Sequence, residues 1–97
     1  MKVEVTPEAR RQLEERAAWW EENRPDSRVD VNEAFVDAIA TIRSFPHLGR
    51  RYPQRPNYRV LQMTGTPYWV FYRVERARRV VFVVAVWGQS QGEVPPI

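Results

Sequence analysis

Apolar positions change their period twice along the chain, and the changes divide it into elements. Val3 and Val5 alternate with Lys2 and Glu4, the two-residue period of a short strand with one buried face. Thr6-Pro7-Glu8 then combines a hydroxyl able to cap a helix, a proline where the first turn needs no amide donor, and a carboxylate facing the positive helix end. Ala9, Leu13, Ala17 and Trp20 follow at spacings of four, four and three, lining one side of an amphipathic helix. Asn23-Arg24-Pro25-Asp26-Ser27 interrupts it. Asp30 with Glu33 resembles a capping box, and Val31, Phe35, Ala38, Ile42 and Phe45 form a second single stripe. Two helices joined by a short loop predict an antiparallel hairpin.

Pro46-His47-Leu48-Gly49 ends the second helix, and Arg50 to Asn57, with three arginines and two prolines, reads as an irregular, positively charged loop. From Tyr58 the composition turns to strand formers: Tyr58–Met63, Tyr68–Glu75 and the almost unbroken apolar run Val80–Trp87. Thr64-Gly65-Thr66-Pro67 and Arg76-Ala77-Arg78-Arg79 are the connecting turns, which predicts an antiparallel meander with Val80–Trp87 buried on both faces. The expected fold is α+β, in the order β-α-α-β-β-β, with the helical hairpin packed on a small antiparallel sheet. Its 97 residues suffice for one core, so a single domain over residues 1–97 is expected, with a tail at 93–97 free to fray.

Composition excludes several classes of function. The chain has no cysteine and one histidine, so neither a disulfide framework nor a thiolate or histidine metal site is available; no metal or cofactor is implied. The amino terminus runs straight into charged sequence and no apolar span is long enough for a bilayer, so a cytoplasmic protein without membrane contact is expected. Charge is divided unevenly: residues 1–40 carry six basic and ten acidic side chains, residues 41–97 nine and two. The second half is therefore the basic half, suited to a nucleic acid, a nucleoprotein or an acidic protein partner.

Sequence details narrow the fold. The Thr6-Pro7-Glu8-Ala9 helix start, Ile42-Arg43-Ser44-Phe45-Pro46 followed by Leu48-Gly49, Tyr58-Arg59-Val60-Leu61, Tyr68-Trp69-Val70-Phe71-Tyr72-Arg73-Val74 and Val83-Val84-Ala85-Val86-Trp87 occur in an order and spacing that resembles the RelE/ParE superfamily of bacterial toxins. The Tyr68–Val74 pattern is more similar to the ParE-type branch than to the mRNA-cleaving branch. The resemblance implies a toxin of a type II toxin–antitoxin system, a hetero-oligomer with a cognate antitoxin, and a target whose poisoning arrests growth. In ParE-type members that target is usually DNA gyrase; in RelE-type members it is mRNA on the ribosome. A non-toxic relative that keeps only its antitoxin-binding role is a third reading.

The chemistry of the side chains bears on the branch. RNA cleavage by 2′-hydroxyl attack needs a proton acceptor, a proton donor and cations around the phosphate. Arg59 and Arg73, on successive strands, could line one polar patch and would serve as the phosphate clamp of a nuclease, but arginine is a poor general base. His47 sits in a helix-ending turn, Tyr52, Tyr58, Tyr68 and Tyr72 read as sheet and core residues, and no group in Trp87-Gly88-Gln89-Ser90-Gln91-Gly92 titrates near neutrality. The reading therefore leans away from an enzyme. Arg50, Arg51, Arg59, Arg73, Trp87 and Gln89 are the expected target-binding residues. Trp19 and Trp20 are the expected antitoxin-binding residues, because adjacent indoles on a helix cannot both face one core stripe.

Overall fold

A computed structural model describes residues 1–88, Pro95 and Ile97. Strand β1 (Lys2–Val5) leads through Thr6 into α1 (Pro7–Asn23); α2 (Val31–Ser44) follows, then β2 (Arg50–Tyr52), β3 (Arg55–Gln62), β4 (Tyr68–Glu75) and β5 (Val80–Gly88). Both helices start as their sequence dictates. The Thr6 side chain accepts the Ala9 amide at 3.2 Å, and the Asp30 carboxylate accepts the Glu33 amide at 3.1 Å, each satisfying a donor that the first helical turn leaves open.

The five strands lie in the order β1-β5-β4-β3-β2. β5, β4, β3 and β2 are successively antiparallel, whereas β1 runs parallel to β5, with Lys2 beside Val80 and Val5 beside Val83. The helices cover one face. Leu13, Phe35, Ala38 and Ile42 pack there with Val70, Tyr72, Val81, Val83 and Val86. The other face holds a smaller cluster of Val60, Phe71 and Ala85, joined by Tyr52, Trp69, Val84, Trp87 and Ile97. β5 is thus covered on both sides, which explains its continuous apolar sequence. A bulge lets it serve both: Phe71 pairs with Ala85 but Tyr72 with Val83, so Val84 is the extra residue and the alternation of β5 shifts by one position.

Two features depart from the sequence reading. First, Arg50 to Asn57 is not an irregular loop: Arg50–Tyr52 is an edge strand paired to β3, turned by Pro53-Gln54. Its prolines do not prevent this, since Pro53 is in the turn and Pro56 precedes Tyr58, where pairing to β4 begins. Second, Phe45 does not extend the stripe of α2. The helix ends at Ser44, and Phe45, preceding Pro46, leaves the helical conformation (φ −135°, ψ 72°) with its ring turned to solvent. Of the terminal stretch 93–97, Pro95 is buried and Ile97 lies on the outer cluster with its carbonyl accepting from Arg55; residues 93, 94 and 96 lie outside the described residues.

The β5 edge beyond β1 is completed by a side chain. β1 pairs as far as Val83, and further along the strand the Val86 amide donates to Oε1 of Gln12, at 2.9 Å, from α1. Gln12 is 2% exposed, and its amide does there what a longer β1 would have done. Its position three residues after Ala9, inside the apolar stripe, was the available signal.

Candidate functional site

Strand parity decides which arginines meet. Arg59 pairs with Arg51 on one side and Tyr72 on the other, so these three share the helix-covered face. Arg73 pairs with Tyr58 and Phe82, and belongs to the opposite face. The expectation that Arg59 and Arg73 line one polar patch is therefore corrected: one residue of register separates the pairs, and one residue on a strand is a change of face.

Arg59 is half-buried beneath the turn between α2 and β2. One guanidinium nitrogen donates to the Gly49 carbonyl at 2.8 Å and to the His47 carbonyl at 3.2 Å. The Gly49 amide in turn donates to the Tyr72 hydroxyl at 2.9 Å in a fully buried contact. A β-carbon built on Gly49 would run into that hydroxyl, so glycine is needed here for close approach. Burial pushes the Tyr72 phenol above its ordinary range, against the lowering effects of the Gly49 amide and the Arg59 charge. Tyr72 is thus a buried, protonated strut rather than an accessible acid.

On the outer face cations lie over rings. The Arg73 guanidinium sits 4.6 Å from the Phe82 ring centroid and is ion-paired with Glu75, whose carboxyl is held below the usual range by that hydrogen bond first and by Arg78 after it. Arg50 lies 5.3 Å from Trp69 and Arg55 5.1 Å from Tyr58. Trp87 is half-buried with Arg16 of α1 over its ring at 5.4 Å. Arg50 and Arg51 are exposed on the edge strand. Gln89 lies outside the described residues.

The adjacent indoles separate as their helix positions require. Trp20 packs on the core, meets Tyr68 edge-on at 6.3 Å, and donates from Nε1 to the Val29 carbonyl at 3.0 Å, closing the mouth of the hairpin. Trp19 is 50% exposed. His47 is exposed, Tyr68 is buried, and Tyr52 packs edge-on against Phe71 at 5.1 Å. Among the described residues no group of three or more metal-ligating side chains gathers, and no helix is long and apolar enough to cross a membrane. The Gly49–Tyr72–Arg59 contacts were not legible as a unit, because they join positions 23 and 10 residues apart.

Comparison with known proteins agrees with this architecture. The family model for the ParE toxin of type II toxin–antitoxin systems, parDE, matches residues 3–92. The fold is similar to a solved structure described as the chromosomal ParDE TA system from P. aeruginosa, with a TM-score of 0.73 and 16% identity over 91% of this chain and 95% of that one. It is also similar to the YoeB/ParE toxin from Agrobacterium tumefaciens, with a TM-score of 0.64 and 17% identity over 91% of this chain and 98% of that one. No curated protein sequence matches the chain.

Proposed function

This chain belongs to the family of ParE toxins of type II toxin–antitoxin systems, and from that premise we propose that it arrests growth by binding a cellular target, DNA gyrase, and is neutralised by a cognate antitoxin. The observation that carries binding over RNA cleavage is the separation of Arg59 from Arg73. A phosphate clamp needs its cations on one side of the substrate. Here the two stand on opposite faces of the sheet, Arg59 engaged by the His47 and Gly49 carbonyls and Arg73 by Glu75.

The target surface is drawn from Arg50 and Arg51 on the β2 edge and Trp87 at the end of β5, with Gln89 beyond it. Arg59 contributes by bracing the turn that leads into β2. The antitoxin contact centres on Trp19. Covering the exposed half of an indole contributes about 2 kcal/mol, enough to anchor an ordering segment. Trp20, already bonded to Val29, supports the hairpin that presents Trp19.

Inducible expression in bacteria, with and without the neighbouring gene, tests the reading. Growth, plasmid supercoiling and mRNA integrity are followed together, and purified protein is added to a gyrase supercoiling reaction. The expected result is arrest relieved by the neighbour, inhibited supercoiling and intact mRNA. Cleaved mRNA at the onset of arrest would transfer the chain to the nuclease reading, and absence of arrest would leave an antitoxin-binding relative.

A further inference from the structure

The turn from α2 into β2 holds two large apolar side chains in solvent. Phe45 is 64% exposed and Leu48 61%. They stand at the two ends of one tight turn, closed by the Leu48 amide donating to the Phe45 carbonyl at 3.0 Å. A loose loop would fold such residues down onto the core, but this one is fastened from below: Arg59 holds the carbonyls of His47 and Gly49, and Tyr72 takes the Gly49 amide. Phe45 and Leu48 are therefore presented on a braced backbone, with much of the ordering cost of a contact already met by the fold.

The surroundings specify the chemistry of what fits. Residues 38–74 contain six arginines and no aspartate or glutamate. Arg43 precedes the turn, Arg51 follows it, and both are exposed. Val36, equally exposed at 63%, is flanked along α2 by Glu33 and Asp37 and has no such surroundings.

We propose that this turn is a docking site for an acidic protein segment with apolar anchors: Phe45 and Leu48 receive the anchors, and Arg43 and Arg51 the carboxylates. Nucleic acid fits less well. Leu48 offers no ring for a base to stack on, and Arg59 is turned inward to the His47 and Gly49 carbonyls. The inference stands apart from growth arrest, since it concerns a contact measurable with purified protein.

Selection of short random peptides displayed on phage against the full chain tests it, followed by anisotropy titrations with the best peptide made synthetically. Enrichment in Asp and Glu together with Leu, Phe or Trp is expected. Affinity should fall by about tenfold or more in Phe45→Ser and in Leu48→Ser, fall likewise in the Arg43→Glu/Arg51→Glu pair, weaken with salt, and stay unchanged in Val36→Ser. All substituted side chains are exposed, and circular dichroism checks that the variants fold. Selected peptides without acidic residues, or binding indifferent to Phe45 and Leu48, would overturn the proposal. So would an oligothymidine whose binding depends on the same two side chains.

Discussion

The hydroxyl of Tyr72 stands where a side chain on Gly49 would be, and accepts that glycine's amide proton at 2.9 Å. The two residues occupy one space between them, so that a change in either is felt by the other.

Gly49→Ala should cost about 1–3 kcal/mol, because the methyl meets a buried ring with nowhere to move. Tyr72→Phe should cost about 1–3 kcal/mol by leaving the Gly49 amide buried without an acceptor. In the double variant the cost should be less than the sum, since the nearest of the atoms that blocked the methyl is gone and only the ring edge remains against it. Urea unfolding of the four proteins measures the coupling; strict additivity would mean the two do not share that space.

Gln12→Leu keeps volume and removes the acceptor for Val86. A loss of about 1–3 kcal/mol is expected, with faster hydrogen exchange at the Val86 amide than at Val83. Equal exchange at both would show that something else satisfies the β5 edge.

Arg79 has φ +53°, in the left-handed region, at the end of the β4–β5 turn where its amide donates to the Arg76 carbonyl at 3.1 Å. A side chain there costs about 1 kcal/mol that glycine avoids. Arg79→Gly is therefore expected to raise the thermal midpoint, an unusual direction for a glycine substitution; a lower midpoint would assign the arginine a contact that outweighs the strain.

Burial raises the phenol groups of Tyr68 and Tyr72 above their ordinary value of 10.0. In the unfolded chain they ionise near that value, whereas in the folded one they keep their protons. The stability they contribute is complete below pH 10 and is lost as pH rises from there through the raised folded values. The urea midpoint should be level from about pH 7 to 9 and fall above 10, less steeply in Tyr72→Phe. A fall of equal slope in that variant would place the titration elsewhere.

Much of the fold was legible because it rests on local rules. The caps at Thr6 and Asp30 lie within a few residues of the helices they start, and the bounds Tyr68–Glu75 follow from a turn at either side. What escaped depended on partners distant in sequence. Arg50–Tyr52 is too short and too charged to advertise a strand until β3 lies beside it. Phe45 keeps helical spacing in the sequence but loses it to the backbone demand of Pro46. That Arg59 and Arg73 face apart follows from register, which composition does not encode.

The parallel ladder between β1 and β5 sets a condition on timing. Lys2 has its neighbour in Val80, which is made only after both helices and three further strands. A chain emerging amino end first cannot seal this edge of its sheet, nor can Gln12 find the amide of Val86, until β5 has been released. The sheet thus gains its β1 edge only once a strand made much later is there to receive it.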